Sequence, residues 1–135
     1  MTHARWSRIG LGYMSVLSLQ IGVWALLAPR SFYDDFPGLG RAWVNVDGPY
    51  NEHLIRDVGA LNLAMLVLLA VAVVTLNRLL VITAAVASLV WGVPHLTYHL
   101  FETDGLSNSD VVASLGGLFL FCAVPVALIA TRSRL

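Results

Sequence analysis

Four runs of apolar residues dominate the chain, at Ile9–Ala28, Leu54–Leu76, Leu79–Phe101 and Val111–Thr131. Each reaches the length of about 20 residues that a helix needs to cross a hydrocarbon layer. Lipid offers the backbone no hydrogen bonds, so runs of this kind are helices rather than open strands. Strict polar–apolar alternation is absent, which argues against a barrel. With their flanking caps the predicted helices cover residues 9–28, 51–76, 79–101 and 110–131 of a single integral membrane domain, 1–135. The Asn77-Arg78 connection is so short that the second and third helices must be antiparallel neighbours. The predicted fold is therefore an all-α, antiparallel bundle of four transmembrane helices.

Between the first two spans, from Pro29 to about Tyr50, polar and aromatic residues interleave. Phe32, Tyr33, Phe36, Trp43 and Tyr50 alternate with Asp34, Asp35, Arg41 and Asp47. Such a mixture favours the headgroup zone, so this segment is expected to lie along the interface. Ser31 is the expected cap of a short helix ended by Pro37-Gly38, with a lid over polar residues below as the alternative role. Asp47-Gly48-Pro49 reads as a turn, and Asn51 as the cap of the next helix. Ser107-x-x-Asp110 has the capping-box form ahead of the last span. Pro94, close after Gly92, predicts a kink in the third span. Gly10, Gly12, Gly22, Gly59 and the Gly116-Gly117 pair predict close helix approach. Gln20, near mid-membrane, is expected to hydrogen-bond a neighbouring helix.

Composition agrees: 58% of residues are hydrophobic and 12% charged, with a mean hydropathy of +0.77. Charge fixes a direction that hydropathy does not. Arg5, Arg8, Arg78, Arg132 and Arg134 fall at the termini and the second connection, while all eight acids fall on the other two connections or the adjoining helix ends. Positive charge collects on the cytoplasmic side, so both termini are expected there. The first run is longer than a signal-peptide core and lacks a small-x-small cleavage site, so it reads as a retained helix. All the basic residues are Arg, which with abundant Ala, Val and Leu is associated with a GC-rich bacterial genome and a plasma-membrane location. The single cysteine, Cys122, reads as a small packing residue. Nucleophile triads, phosphate-binding glycine loops and basic nucleic-acid patches are missing, so nucleic acid is not an expected partner.

Chemistry is confined to two polar stripes. His95 and His99 are spaced i, i+4, and Glu102 extends their face by one turn; His53 and Asp57 repeat the i, i+4 spacing near the start of the second span. Glu52 and Arg56 can pair beside them. Adjacent antiparallel helices would bring both stripes to the outer face. Three readings follow. A buried network could fix helix register. A transition metal, Zn, Cu or Fe, could be held by His53, His95 and His99, with Asp57 as a ligand or as the acceptor orienting a histidine, and with Glu52, Arg56 and Glu102 in support. Haem b between His53 and His95 or His99, or a quinone using these groups as proton donors, ranks below the compact metal site.

The sequence resembles the DoxX-like small bacterial membrane proteins in Arg8-Ile-Gly10 opening the first helix, in Ala28-Pro29-x-x-Phe32 closing it, and in its four-span layout. That resemblance implies a compact bundle with cytoplasmic termini, associated with membrane redox partners; some relatives are subunits of thiosulfate:quinone oxidoreductases. The chain is also similar to small actinobacterial membrane proteins carrying Tyr-Asn-Glu-His-x-x-Arg-Asp and Pro-His-x-x-x-His segments. The expectation is a small metal-binding or redox accessory protein. Its rival is a non-catalytic subunit or assembly factor whose partners are the bilayer and other membrane subunits. No reaction is named by the residues.

Overall fold

The computed structural model describes residues 3–131. Its elements run α1 (His3–Leu27), α2 (Pro29–Asp35), β1 (Pro37–Gly38), β2 (Arg41–Ala42), α3 (Glu52–Thr75), α4 (Arg78–Phe101) and α5 (Asn108–Ala130). The four long helices are each long and apolar enough to cross a membrane. α1 starts at His3, well before the apolar run, because backbone hydrogen bonds continue through the Arg5–Arg8 turn where hydropathy does not. Arg132 and Arg134 lie outside the described residues.

Local chemistry sets the helix boundaries. The Asn51 side chain accepts from the Leu54 N–H at 3.1 Å, and Asn77 accepts from Leu79 and Leu80 at 3.0 and 3.2 Å. Ser107 accepts from the Asp110 N–H at 3.2 Å. Each of these bonds satisfies a donor that the first turn of a helix leaves open. Ser31 differs from its expected role. Pro29 opens α2, since a residue without an N–H is tolerated in the first turn. Ser31 then sits inside α2, accepting from Trp24 Nε1 at 3.2 Å and donating to Asp35 at 3.0 Å.

Packing is uneven along the bundle. At the end holding the start of α1, one buried core draws on all four long helices: Leu11 and Met14, Leu69 and Ala72, Val81, Ala84 and Ala85, and Leu128. At the opposite end a smaller core of Ala25, Phe32 and Ile55 joins α1, α2 and α3 only. α1 packs most closely on α3 and α4 on α5, with looser seams between the two pairs. Glycine explains the first pair: a Cβ on Gly59 would stand 2.5 Å from the Leu26 nitrogen, and one on Gly22 2.7 Å from Leu63. Gly92 likewise admits Phe121 of α5, and α4 runs on as helix through Pro94. Gly12, Gly116 and Gly117 face open space, so they do not mediate the close approach expected of them. Large apolar side chains such as Val67, Val74, Val90, Val112 and Phe119 point outward, whereas Ser18, Ser88 and Ser114 are buried. Small and polar inside with bulky and apolar outside suits a chain solvated by lipid.

Candidate binding cavity

The segment between α1 and α3 closes the end at which α1 stops. β1 and β2 form a two-residue antiparallel ladder, Pro37 opposite Ala42 and Gly38 opposite Arg41. Its anchor is Asp110 on α5. Arg41 Nη1 and Trp43 Nε1 both donate to Asp110 Oδ1, at 2.5 and 2.8 Å, while Ser107 Oγ donates to Oδ2 at 2.5 Å. Sequence reasoning made Asp110 a cap residue; the structure gives it the further task of tying this cover to the far helix pair. Tyr33 adds a second fastening, donating to the Gly48 carbonyl at 2.6 Å. Trp24, Phe32 and Phe36 stack beneath in tilted and edge-on contacts, with ring centroids 4.7–6.1 Å apart.

Below the cover lies a cavity of about 500 Å³, walled by all four long helices. Its surface is mainly apolar, with Phe32, Phe36, Trp43, Trp91 and Phe121 supplying aromatic faces. His95 and His99 line it from α4. Trp91 stacks on His95 at 4.6 Å, and His95 meets His99 edge-on at 4.8 Å, so the three rings form a column at i, i+4 spacing. His99 is 9% exposed and its Nδ1 is buried without a hydrogen-bond partner. Such an atom is costly to leave unsatisfied in a low-dielectric interior.

The other predicted site residues stand elsewhere. His53 and Asp57 pair at 3.4 Å with side chains 88% and 56% exposed. Neither lines the cavity, because Leu54, Ile55 and Val58 occupy the face of α3 that does. Glu52 pairs with Arg56 at 2.8 Å, and Arg56 also donates to the Leu26 carbonyl in the last turn of α1. That contact satisfies an open carbonyl at a helix C-terminus, where a cation is favoured. Glu102 is an exposed residue that follows α4 as its C-terminal cap. Among the described residues no three of His, Cys, Asp and Glu gather closely enough to hold a metal ion. The expected four-donor set is thus divided between an exposed pair on α3 and, on α4, a half-buried His95 beside a buried His99. Helix adjacency placed the two stripes at one end, but rotation about the α3 axis turned one outward.

Several cavity residues escaped the sequence reading. Asp47, taken as a turn residue, lies at the mouth; partial burial raises its pKa from the ordinary carboxylate value, and nearby His99 opposes that rise. Ser18, Gln20, Asn62 and Ser114 bring neutral polar groups to the wall, and Gly117 leaves it open on α5. Amides in mid-span, Asn62 as well as Gln20, were the available signal, since an amide in lipid calls for a partner or a polar cavity. Gln20, expected to bond a neighbouring helix, is exposed and lines the cavity instead. Comparison with protein-family models, with curated proteins and with solved structures finds no match to this chain.

An enclosure of this size, apolar with a few convergent polar groups, suits a small lipophile. No Lys or Arg lines it, and Asp47 is the one formally charged side chain on its surface among the described residues. A phosphate or carboxylate head would therefore enter without a counter-charge, at a large desolvation cost. A lining of this kind is compatible with uncharged ring-bearing molecules.

Proposed function

We propose that this protein is a multi-pass bacterial plasma-membrane protein that binds an uncharged lipophile of the quinone class in the cavity under its aromatic cover. In this reading the bundle is antiparallel, with both termini cytoplasmic and the cover on the outer face. The observation that carries it is the meeting of an aromatic cavity, free of basic residues, with the His95–His99 pair and its unpartnered Nδ1. The aromatic faces stack on a planar ring, and the imidazoles offer neutral donors or acceptors to ring oxygens. The resemblance to DoxX-like proteins supports an accessory role beside membrane redox partners, in which this chain holds the lipophile and a partner subunit supplies the electrons.

The test is a titration of detergent-purified protein with a decyl-substituted benzoquinone, read by tryptophan fluorescence, since Trp43 and Trp91 line the cavity. Saturable quenching is expected, and His95→Ala should weaken it by about ten-fold, the scale of one buried hydrogen bond lost. Quenching that rises linearly without saturation would reject the reading. Metal analysis and an absorption spectrum on the same preparation address the rivals. Stoichiometric Zn, Cu or Fe would return the site to a metal centred on His95 and His99, a Soret band to haem b. A structural network in a partner-binding subunit would give none of these signals.

A further inference from the structure

Several hydroxyl side chains in or directly after the long helices return their proton to the preceding turn of their own helix. Ser15, Thr75, Ser88, Thr97 and Thr131 each donate at 2.8 Å to the carbonyl four residues back. Ser18 and Ser114, both buried on the cavity wall, make no such bond. Of the remaining serine and threonine hydroxyls in the long helices, Ser7 lines a small cleft beside Trp6, Thr83 is exposed, and the exposed Ser109 shares a hydrogen bond with Ser107. Gln20 also lines the cavity and has no side-chain hydrogen-bond partner among the described residues. A carboxamide so placed is expensive in hydrocarbon unless something bonds it.

These groups share a depth. With a rise of about 1.5 Å per residue, Gln20 lies about 10 Å from the end of α1, and His95 and Ser114 about 9 Å from the covered ends of α4 and α5. Ser18, two residues further along α1, lies about 14 Å in. Three helices therefore deliver unbonded polar side chains to one layer of an otherwise apolar chamber, well inside a hydrocarbon core about 30 Å thick.

We infer that Ser18, Gln20, Ser114 and His95 form a belt that hydrogen-bonds the oxygens of the occupant's ring within the hydrocarbon layer, with Gln20 discriminating an oxygenated ring from a plain hydrocarbon one. This inference rests on the proposed lipophile site and adds where the ring sits and which residues choose it. Neutral donors are the right kind for that task. A site built to hydrogen-bond an oxygen rejects the analogue lacking it, because its own polar groups are left unpaired.

The experiment compares a decyl-substituted benzoquinone with decylbenzene, the latter measured by its displacement of the quinone. Wild-type protein should bind the quinone at least ten-fold more tightly than decylbenzene. Gln20→Leu should weaken the quinone by about ten-fold and leave decylbenzene unchanged, collapsing the preference. Ser114→Ala, nearly isosteric, provides a second variant and should cost the quinone about three-fold. Saturable quinone binding that neither substitution alters would overturn the belt while leaving the cavity site standing. So would equal affinity of the wild type for the two probes. Failure of the wild type to bind the quinone at all would remove the lipophile site itself.

Discussion

At the scale of single residues, Asp47 is the most informative charge. Partial desolvation at the cavity mouth raises its pKa, with His99 opposing, so the folded state holds its proton to higher pH than the unfolded chain does. The sign follows from linkage: folding takes up a proton between the unfolded value near 3.8 and the raised folded value, so this group's contribution to stability falls as pH rises through that window. At neutral pH the penalty is fully present. Asp47→Asn should therefore melt at the same temperature as the wild type or higher at pH 7, with the difference vanishing near pH 3. Differential scanning fluorimetry across pH checks this, and a lower melting temperature for the variant at pH 7 would reverse the sign. Residues at helix starts were legible because their chemistry is local: Asn51 and Ser107 need only the N–H groups two or three positions ahead. His53 and Asp57 were legible as a pair for the same reason, but not in the direction they face.

Elements were read well in kind and less well in extent. Apolar runs mark where lipid begins, and helical hydrogen bonds ignore that border, which is why α1 extends back to His3. Glycine was a mixed signal. Gly22 and Gly59 sit where α1 and α3 nearly touch, whereas a Cβ on Gly116 or Gly117 would meet open space, although all four look alike in sequence. What separates them is the rotation of each helix against its neighbour, a tertiary quantity. Gly59→Val should accordingly be severe, since its Cβ would overlap the Leu26 backbone and force α1 and α3 apart. A loss of about 2 kcal/mol or more, or failure to recover folded protein, is expected from such overpacking. Gly116→Val, in open space, should be nearly silent, and thermal unfolding of the two purified variants beside the wild type checks both expectations.

For the whole molecule, the uneven distribution of arginine and acid orients the proposed topology. In a Cys122→Ala background, a cysteine at Ser109 should react in intact cells with a membrane-impermeant maleimide. One at Arg78 should react only after the membrane is opened. The reverse pattern would invert the topology and put the cover on the cytoplasmic side. The cavity was the part of the molecule the sequence concealed. It is made by residues that are unremarkable one at a time, such as Ser18, Ser114 and the turn residue Asp47, and it lies where two close helix pairs meet at a loose seam.

That lopsided packing makes the bundle a lever. All four long helices are pinned by one core near the start of α1, and the chamber lies toward the other end. From Met14, where that core grips α1, to Leu27 is about 20 Å at about 1.5 Å per residue, so a tilt of about one degree about that point carries the tip about 0.3 Å. At the chamber end α1 and α3 are held to each other by the smaller core and by the Gly59–Leu26 contact, so the room to give lies between the two helix pairs and not within them. The Asp110 fastening, which straps the cover of one helix pair to the first turn of the other, spans the gap where that leverage is greatest.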